Sequence, residues 1–298
     1  MKKMLCLVLT VVLALSCAIL PALADSHPLM YKVTDKDGHT IYLLGTLHMM
    51  SQETLPIANL DETLGNVDRV IFEVSEADME KAASGSLTIS DLGSVLSSMM
   101  QMFTLDNGLS QETLELVAGF LSGAYNQTID AESLRMMSAP MLAQLLNAQF
   151  MTIAGYDASG HGVDLEVFRK AKAFGKKIEG VETMAEQMKA ISAENTDTAL
   201  LEKQILELMN HPEQFKEQVD SLIHAYNTGD KDTLMTIFTS EGARSIADAG
   251  RNARFLEVAK KALTDGGRAL IAIGIYHIIA EDGLVNVLTQ EGYTVEAL

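Results

Sequence analysis

The feature that most limits the fold of this chain is an apolar strand that ends at a glycine and is followed, three residues after that glycine, by a histidine. It occurs twice, as Tyr42-Leu43-Leu44-Gly45-Thr46-Leu47-His48 and as Ala272-Ile273-Gly274-Ile275-Tyr276-His277. Either motif alone is weak evidence, because short motifs with one histidine are frequent by chance. Glycine permits a tight exit from a buried strand, and ligands of open α/β folds bind just beyond the carboxyl ends of the strands. We therefore predict that His48 and His277 face one pocket.

The first residues of the chain have the pattern of a secretory signal peptide. Lys2 and Lys3 precede an uncharged stretch, residues 4–24, that ends in Ala22-Leu23-Ala24. A basic start, an apolar region and a small-residue cleavage site are typical of such signals. We predict cleavage after the last of these alanines, which leaves a single exported domain over residues 25–298.

Two alternatives to cleavage remain at this point. The segment is long enough to be a retained membrane anchor, because about 20 apolar residues span a bilayer. Lipidation of Cys17 is a weaker alternative. Because Cys6 and Cys17 are the cysteines of the chain and both lie in this segment, a cleaved chain forms neither disulfides nor a thiolate metal site. Any metal must then be held by histidine and carboxylate.

The charge of the chain limits its partners. It has 40 acidic and 22 basic residues, a formal net charge of −18, which becomes −20 when two of the basic residues, Lys2 and Lys3, leave with the signal. Nucleic acids and anionic membranes require clustered Lys and Arg, so we expect neither as a partner. Contact with a membrane is expected only if the signal segment is retained or lipidated.

Strands alternate with helical segments along the chain, a pattern that is typical of an α/β fold. An Asp-Gly turn predicts a hairpin over residues 30–44, and apolar runs predict buried strands at 69–74 and 269–273. Helical insertions are predicted at about 78–156 and 185–246. The first of these is rich in methionine, a residue that fills apolar cores and, less often, lines an adaptable binding surface.

Several polar residues stand near the ends of these elements. Glu73 ends an apolar strand, where a carboxylate is costly unless it is paired, hydrogen-bonded, metal-bound or solvated at the strand end. A surface glutamate is the plain alternative. His161 lies between two glycines, which favours a loop histidine and leaves it as a reserve ligand. Asp164 stands at a predicted helix start.

Together these residues resemble the TraB/PrgY/GumN family, which includes the TIKI proteases. The resemblance is carried by Leu44-Gly45-Thr46-Leu47-His48, Phe72-Glu73, Gly162-Val163-Asp164, Gly175-Lys176-Lys177-Ile178, Gly180-Val181-Glu182-Thr183, Gln187, Arg251-Asn252 and Gly274-Ile275-Tyr276-His277. It implies a mixed central sheet built from two related halves with helical insertions. It also implies a site made from the two histidine motifs, a strand-end glutamate and an arginine, which in the TIKI branch is similar to a divalent-metal-dependent protease.

The chemistry of these residue types agrees with that implication. Two neutral imidazoles, from His48 and His277, and the carboxylate of Glu73 can hold a divalent ion and leave positions for water and a carbonyl oxygen. Glu73 is then either a third ligand or the general base. Arg251 stabilises an oxyanion or binds a substrate carboxylate, with a structural salt bridge as the alternative, and Asn252 is expected to cap a helix.

The sequence therefore predicts a secreted metal-dependent hydrolase that acts on a peptide or a small amide. Zinc, manganese and cobalt all accept such ligands. The catalytic candidates are His48, Glu73, Arg251 and His277, and the secondary candidates are His161, Asp164, Glu182, Gln187 and Asn252. Two alternatives stay open: a non-catalytic extracellular protein that binds a peptide or signal, and a haem-binding or metal-binding protein with one of the two motif histidines as the axial ligand.

The exported protein is expected to begin at Asp25, because the alanines before it fit the small-residue sites of signal peptidase. The intact mass of the exported form measures this directly. A mass that retains residues 1–24, or that includes a lipid on Cys17, would contradict the prediction.

Overall fold

A computed structural model gives the fold of the greater part of the chain. It describes residues 29–47, 56–84, 106–156, 162–184, 186–187, 197–239 and 249–298. The predictions for the signal segment, His48 and His161 fall outside these ranges. Within the described residues, no helix is both long enough and apolar enough to cross a membrane.

The centre of the fold is a sheet of six strands. They are β1 (Met30–Thr34), β2 (Thr40–Thr46), β3 (Arg69–Val74), β4 (Lys177–Glu182), β5 (Ala269–Gly274) and β6 (Thr294–Ala297). Their order in the sheet is β4-β3-β5-β2-β1-β6. The first four strands of this order are parallel to one another, whereas β1 is antiparallel to both β2 and β6. The predicted mixed α/β sheet is thereby confirmed, and β4, β3, β5 and β2 all end at the same edge.

The central strands are buried along their length because the sequence gives them almost continuous apolar runs. Residues 70–74 of β3 and 269–273 of β5 are all buried, as expected for parallel strands that are covered on both faces. The hairpin of β1 and β2 turns at the predicted Asp-Gly pair. There Asp35 Oδ1 accepts hydrogen bonds from the backbone N–H groups of Asp37 and His39, and Gly38 adopts φ +85°.

Some helices pack against this sheet, and others form a separate block beside it. They are α1 (Leu60–Asn66), α2 (Glu76–Ser84), α3 (Gln111–Tyr125), α4 (Ala131–Arg135), α5 (Ala139–Ile153), α6 (Val163–Ala173), α7 (Thr198–Asn210), α8 (Pro212–Thr228), α9 (Lys231–Thr239), α10 (Ala249–Thr264), α11 (Ile275–Ile279) and α12 (Leu284–Gln290). The sheet shares its apolar core with α1, α2, α6, α8, α9, α10, α11 and α12.

A second apolar core joins α3, α4, α5 and α7, which we call the helical block. Leu114, Leu121, Leu142 and Leu146 are fully buried in it. The block falls within the two stretches for which helical insertions were predicted. Among the methionines of this region that the structure describes, Met151 is buried and Met136 is 51% exposed, so methionine supplies both core and surface here. Met99, Met100 and Met102 lie outside the described residues.

Two glycines allow close approaches that a side chain would prevent. Gly180 of β4 pairs with Phe72 of β3, and a Cβ at Gly180 would lie 2.4 Å from Ser75 Cα. Gly45, in the first histidine motif, faces α11, where a Cβ would lie 2.7 Å from Ile275 Cγ1. These glycines therefore set the spacing of β3 and β4 and let α11 pack against the end of β2.

Gly180→Ala is expected to lower the free energy of unfolding by about 2 kcal/mol, because the added methyl group meets the backbone of β3 and cannot be relieved by a rotamer change. The matched control is Gly119→Ala, an exposed position in α3 where nothing lies within 4 Å of the added carbon. That change should raise stability by up to about 1 kcal/mol, because alanine has the higher helix propensity. Denaturant unfolding followed by circular dichroism measures both, and equal effects would contradict the prediction.

Candidate functional site

A group of buried polar side chains lies at the carboxyl edge of the parallel strands. Glu182 ends β4, Glu73 is the penultimate residue of β3, and His277 lies in the helix that directly follows β5. The first turns of α10 add Arg251 and Asn252. We call these five residues, together with Gln187, the Arg251 cluster; each of its members is at most 8% exposed.

Arg251 is shared by two carboxylates. Its Nη2 donates to Glu73 Oε2 at 3.1 Å and to Glu182 Oε1, and its Nε donates to Glu182 Oε2 at 3.3 Å. Burial by itself would lower the pKa of Arg251, but the hydrogen bonds and charges of the two glutamates outweigh burial and raise it. Arg251 is thus a fixed cation, and it forms the salt bridge that the sequence left as the alternative to a catalytic role.

Glu73 accepts hydrogen bonds on both of its carboxylate oxygens. Its Oε1 accepts from the backbone N–H of Gly274 at 2.5 Å, and its Oε2 accepts from Gln187 Nε2 at 2.7 Å as well as from Arg251. The interpretation of Glu73 as a surface glutamate is wrong, because the residue is only 6% exposed. Its burial is tolerated because the charge is both paired and hydrogen-bonded.

The contacts of His277 define its tautomer. Nε2 lies 3.4 Å from Arg251 Nη1, and a guanidinium only donates, so Nε2 must be an acceptor. Nδ1 lies 2.5 Å from Asn252 Oδ1, which accepts the hydrogen on Nδ1. The orientation of the Asn252 amide is consistent with this, because its Nδ2 donates to the carbonyl oxygen of Asp282 at 3.5 Å. These contacts fit the tautomer of His277 that carries its ring hydrogen on Nδ1 and accepts at Nε2.

The same contacts correct the role predicted for Asn252. It was expected to cap a helix, but it lies inside α10, where its amide bridges His277 and Asp282. Phe255, one turn further on, packs its ring 4.9 Å from the centroid of His277 and 5.5 Å from Arg251 Cζ. One face of α10 therefore orients both the imidazole and the guanidinium.

Sequence reasoning did not single out Phe255 or Arg254 for the site. Arg254 Nη2 donates to Glu182 Oε2 at 3.1 Å, so Glu182 has two arginine partners. The spacing of three and four residues from Arg251 was the available signal, because side chains so spaced share one face of a helix. This spacing becomes informative only once the face of α10 that carries these residues is known to pack against the sheet.

The absence of a side chain at Gly274 lets the carboxylate of Glu73 approach the backbone closely. A Cβ at this position would lie 2.9 Å from Glu73 Oε1 and 3.5 Å from His277 Cδ2. The glycine of the second motif therefore allows Glu73 and His277 to pack close to the same Cα.

The described part of the first motif, residues 45–47, has different neighbours. The hydroxyl of the fully buried Tyr226 donates to the backbone oxygen of Gly45 at 2.8 Å, and Val163 N donates to Leu47 O at 2.8 Å. Burial, and then the charge of Asp164, raises the pKa of Tyr226. Asp164 thus lies beside the first motif. Tyr226 was missed because its helix carries no motif.

The structure brings together six of the predicted residues, the members of the Arg251 cluster. His48 and His161 lie outside the described residues, so the convergence of His48 on His277 stays a prediction. In the part of the chain that is described, no group of three or more His, Cys, Asp and Glu side chains is arranged to hold a metal ion.

Comparison with known proteins gives one match. The model of the TraB/PrgY/gumN family matches residues 29–297, nearly the whole chain, and this range includes every residue of the Arg251 cluster. Neither the curated proteins nor the solved structures contain a match.

Arg251→Met is expected to lower the free energy of unfolding by about 3–5 kcal/mol, because it leaves two buried carboxylates without their shared cation. Arg268→Met is the matched control, since Arg268 pairs with Asp68 on the surface, where both side chains are more than half exposed. Little change is expected there, because exposed ion pairs contribute little. Denaturant unfolding of the two variants measures both changes. A loss of stability in Arg268→Met as large as that in Arg251→Met would contradict the prediction.

Proposed function

Because this chain belongs to the TraB/PrgY/gumN family, we propose that it is an exported metal-dependent hydrolase that cleaves a peptide or amide bond. The observation that carries the proposal is the Arg251 cluster. It buries an imidazole lone pair, a carboxylate and a fixed cation together at the edge of the sheet where α/β folds bind their ligands.

Two features of the described residues fit a metal ion. Histidine ligands usually donate their other ring N–H to a nearby acceptor, and His277 does this to Asn252, which leaves Nε2 as the ligand atom. Gly274 lets the side chains of His277 and Glu73 both lie close to its Cα, which keeps the two near each other. We propose that these two residues hold the ion with His48 as a further ligand, and that the ion is zinc, manganese or cobalt. A bound metal would activate water and polarise a carbonyl near neutral pH.

The other residues of the cluster have supporting roles in this proposal. Asn252 holds the ring of His277 in one tautomer, and Gln187 with Gly274 N fixes the carboxylate of Glu73. The guanidinium of Arg251 is held in place before any substrate arrives, so its N–H groups stabilise developing negative charge without reorganisation. Preorganised donors of this kind act most strongly in a buried site.

One contact favours a second candidate, a hydrolase that works without a metal. Arg251 Nη1 lies 3.4 Å from His277 Nε2, so a metal ion at that nitrogen would be close to a like charge. Without the ion, the imidazole of His277 would itself be the general base and would take a proton from water at Nε2. The two candidates differ in metal content and in their response to a chelator.

Under the metal-dependent proposal, His48→Ala and His277→Ala should each reduce the metal content of the purified protein at least severalfold and abolish hydrolysis of a peptide library. Glu73→Gln separates two roles: loss of metal would make Glu73 a ligand, whereas retained metal with lost turnover would make it the general base. Elemental analysis and mass spectrometry of the library give the two measurements.

His224→Ala is the control, because His224 is an exposed residue of α8 and should affect neither measurement. Full activity in the presence of a chelator, combined with loss of activity in His277→Ala, would favour the metal-free hydrolase. Full metal and full activity in His277→Ala would overturn both candidates.

A further inference from the structure

Four charged side chains form a row of alternating sign that leads from the interior to the surface. In contact order they are Glu73, Arg251, Glu182 and Arg254. The exposed fractions of these side chains are 7%, 4%, 0% and 44%. The row therefore ends in a cation, and that cation is its one exposed member.

Arg254 retains hydrogen-bonding capacity at this exposed end. Among the described residues its hydrogen bond is the one from Nη2 to Glu182 Oε2, and its charge also interacts with that of Glu186. A guanidinium carries five N–H donors. The N–H groups of Nε and Nη1 are thus left for another acceptor. A carboxylate is the group that arginine binds with two parallel hydrogen bonds.

The negative charge of the whole chain limits where an anionic ligand can bind. With a net charge of −18, the protein repels anions in general, so an anionic ligand must be attracted locally. The charges of the row cancel, since it contains two glutamates and two arginines. A ligand carboxylate on Arg254 would extend the alternation by one member and would place that ligand three contacts from Arg251.

We propose that Arg254 binds a carboxylate of the substrate, so that the protein acts on short peptides with a free carboxyl terminus rather than on internal segments of long chains. The proposal rests on the function proposed above, whose substrate class it narrows. A purely structural role for Arg254, the neutralisation of Glu182, would affect the binding of acidic and neutral peptides alike.

The test measures binding and needs no turnover. A defined set of N-acetyl tripeptides is prepared twice, once with free carboxylates and once as carboxamides, and the amounts retained by the immobilised full-length mature protein are compared by mass spectrometry. The unmodified protein should retain the acids about tenfold better than the amides, the effect of a charged hydrogen-bond pair. Arg254→Gln should reduce this ratio to about one while binding of the amides persists.

Two further variants control the result. Arg254→Lys keeps the charge beside Glu182 but loses the paired donors, so an intermediate ratio is expected. Lys261→Gln removes a 74% exposed cation from the same helix and should leave the ratio unchanged. The inference is overturned if the unmodified protein shows no preference for acids, including the case in which it retains neither form, or if the preference survives in Arg254→Gln.

The outcome also separates this inference from the proposed function. Selective retention of acids by a protein that cleaves none of them would refute the hydrolase and leave the role of Arg254 standing. Cleavage of acids and amides with equal efficiency would refute the role of Arg254 alone.

Discussion

The burial of one guanidinium between two carboxylates ties together three elements that are far apart in the chain. Arg251 joins α10 to the ends of β3 and β4 through partners 178 and 69 residues away. Removing these charges from water is costly, and the cost is offset only while all three groups stay in contact. The ion pairs therefore fix the first turns of α10 over the strand ends, and this placement brings Asn252 and Phe255 to His277. The orientation of the His277 ring therefore depends on the ion pairs of Arg251 with the two glutamates, of which His277 is not a member.

Much of the sheet could be predicted because its signals are local. An apolar run marks β3 from Arg69 to Val74, and the Asp-Gly pair marks the hairpin before β2. Glu73 was found for the same reason, since a carboxylate inside an apolar run is conspicuous without any knowledge of its partners. Glu182 and Gln187, by contrast, are unremarkable in the sequence and entered only through the family resemblance. The structure supplies their physical reason, which is contact with Arg251 and Glu73.

The remaining features depend on contacts that no local pattern encodes. Tyr226 meets Gly45 across 181 residues of sequence, and it lies on a helix whose polar residues have ordinary spacing. Asn252 has the residue type and approximate position of a helix cap, yet its amide is used between His277 and Asp282 instead. The glycines of the two histidine motifs also have different neighbours: Gly45 packs against α11, whereas Gly274 faces the carboxylate of Glu73. Contacts between residues far apart in the sequence set these neighbours.

The helical block of α3, α4, α5 and α7 has an apolar core of its own, separate from the core of the sheet. Proteins open in cooperative units that follow such divisions, and the free energy of opening differs from one unit to another. Backbone amides of the block can therefore exchange with solvent through a partial unfolding in which β3 and β5 remain protected. Since the Arg251 cluster takes no residue from the block, its ion pairs would survive that event. The helical block can thus unfold locally while the sheet and α10 keep the Arg251 cluster intact.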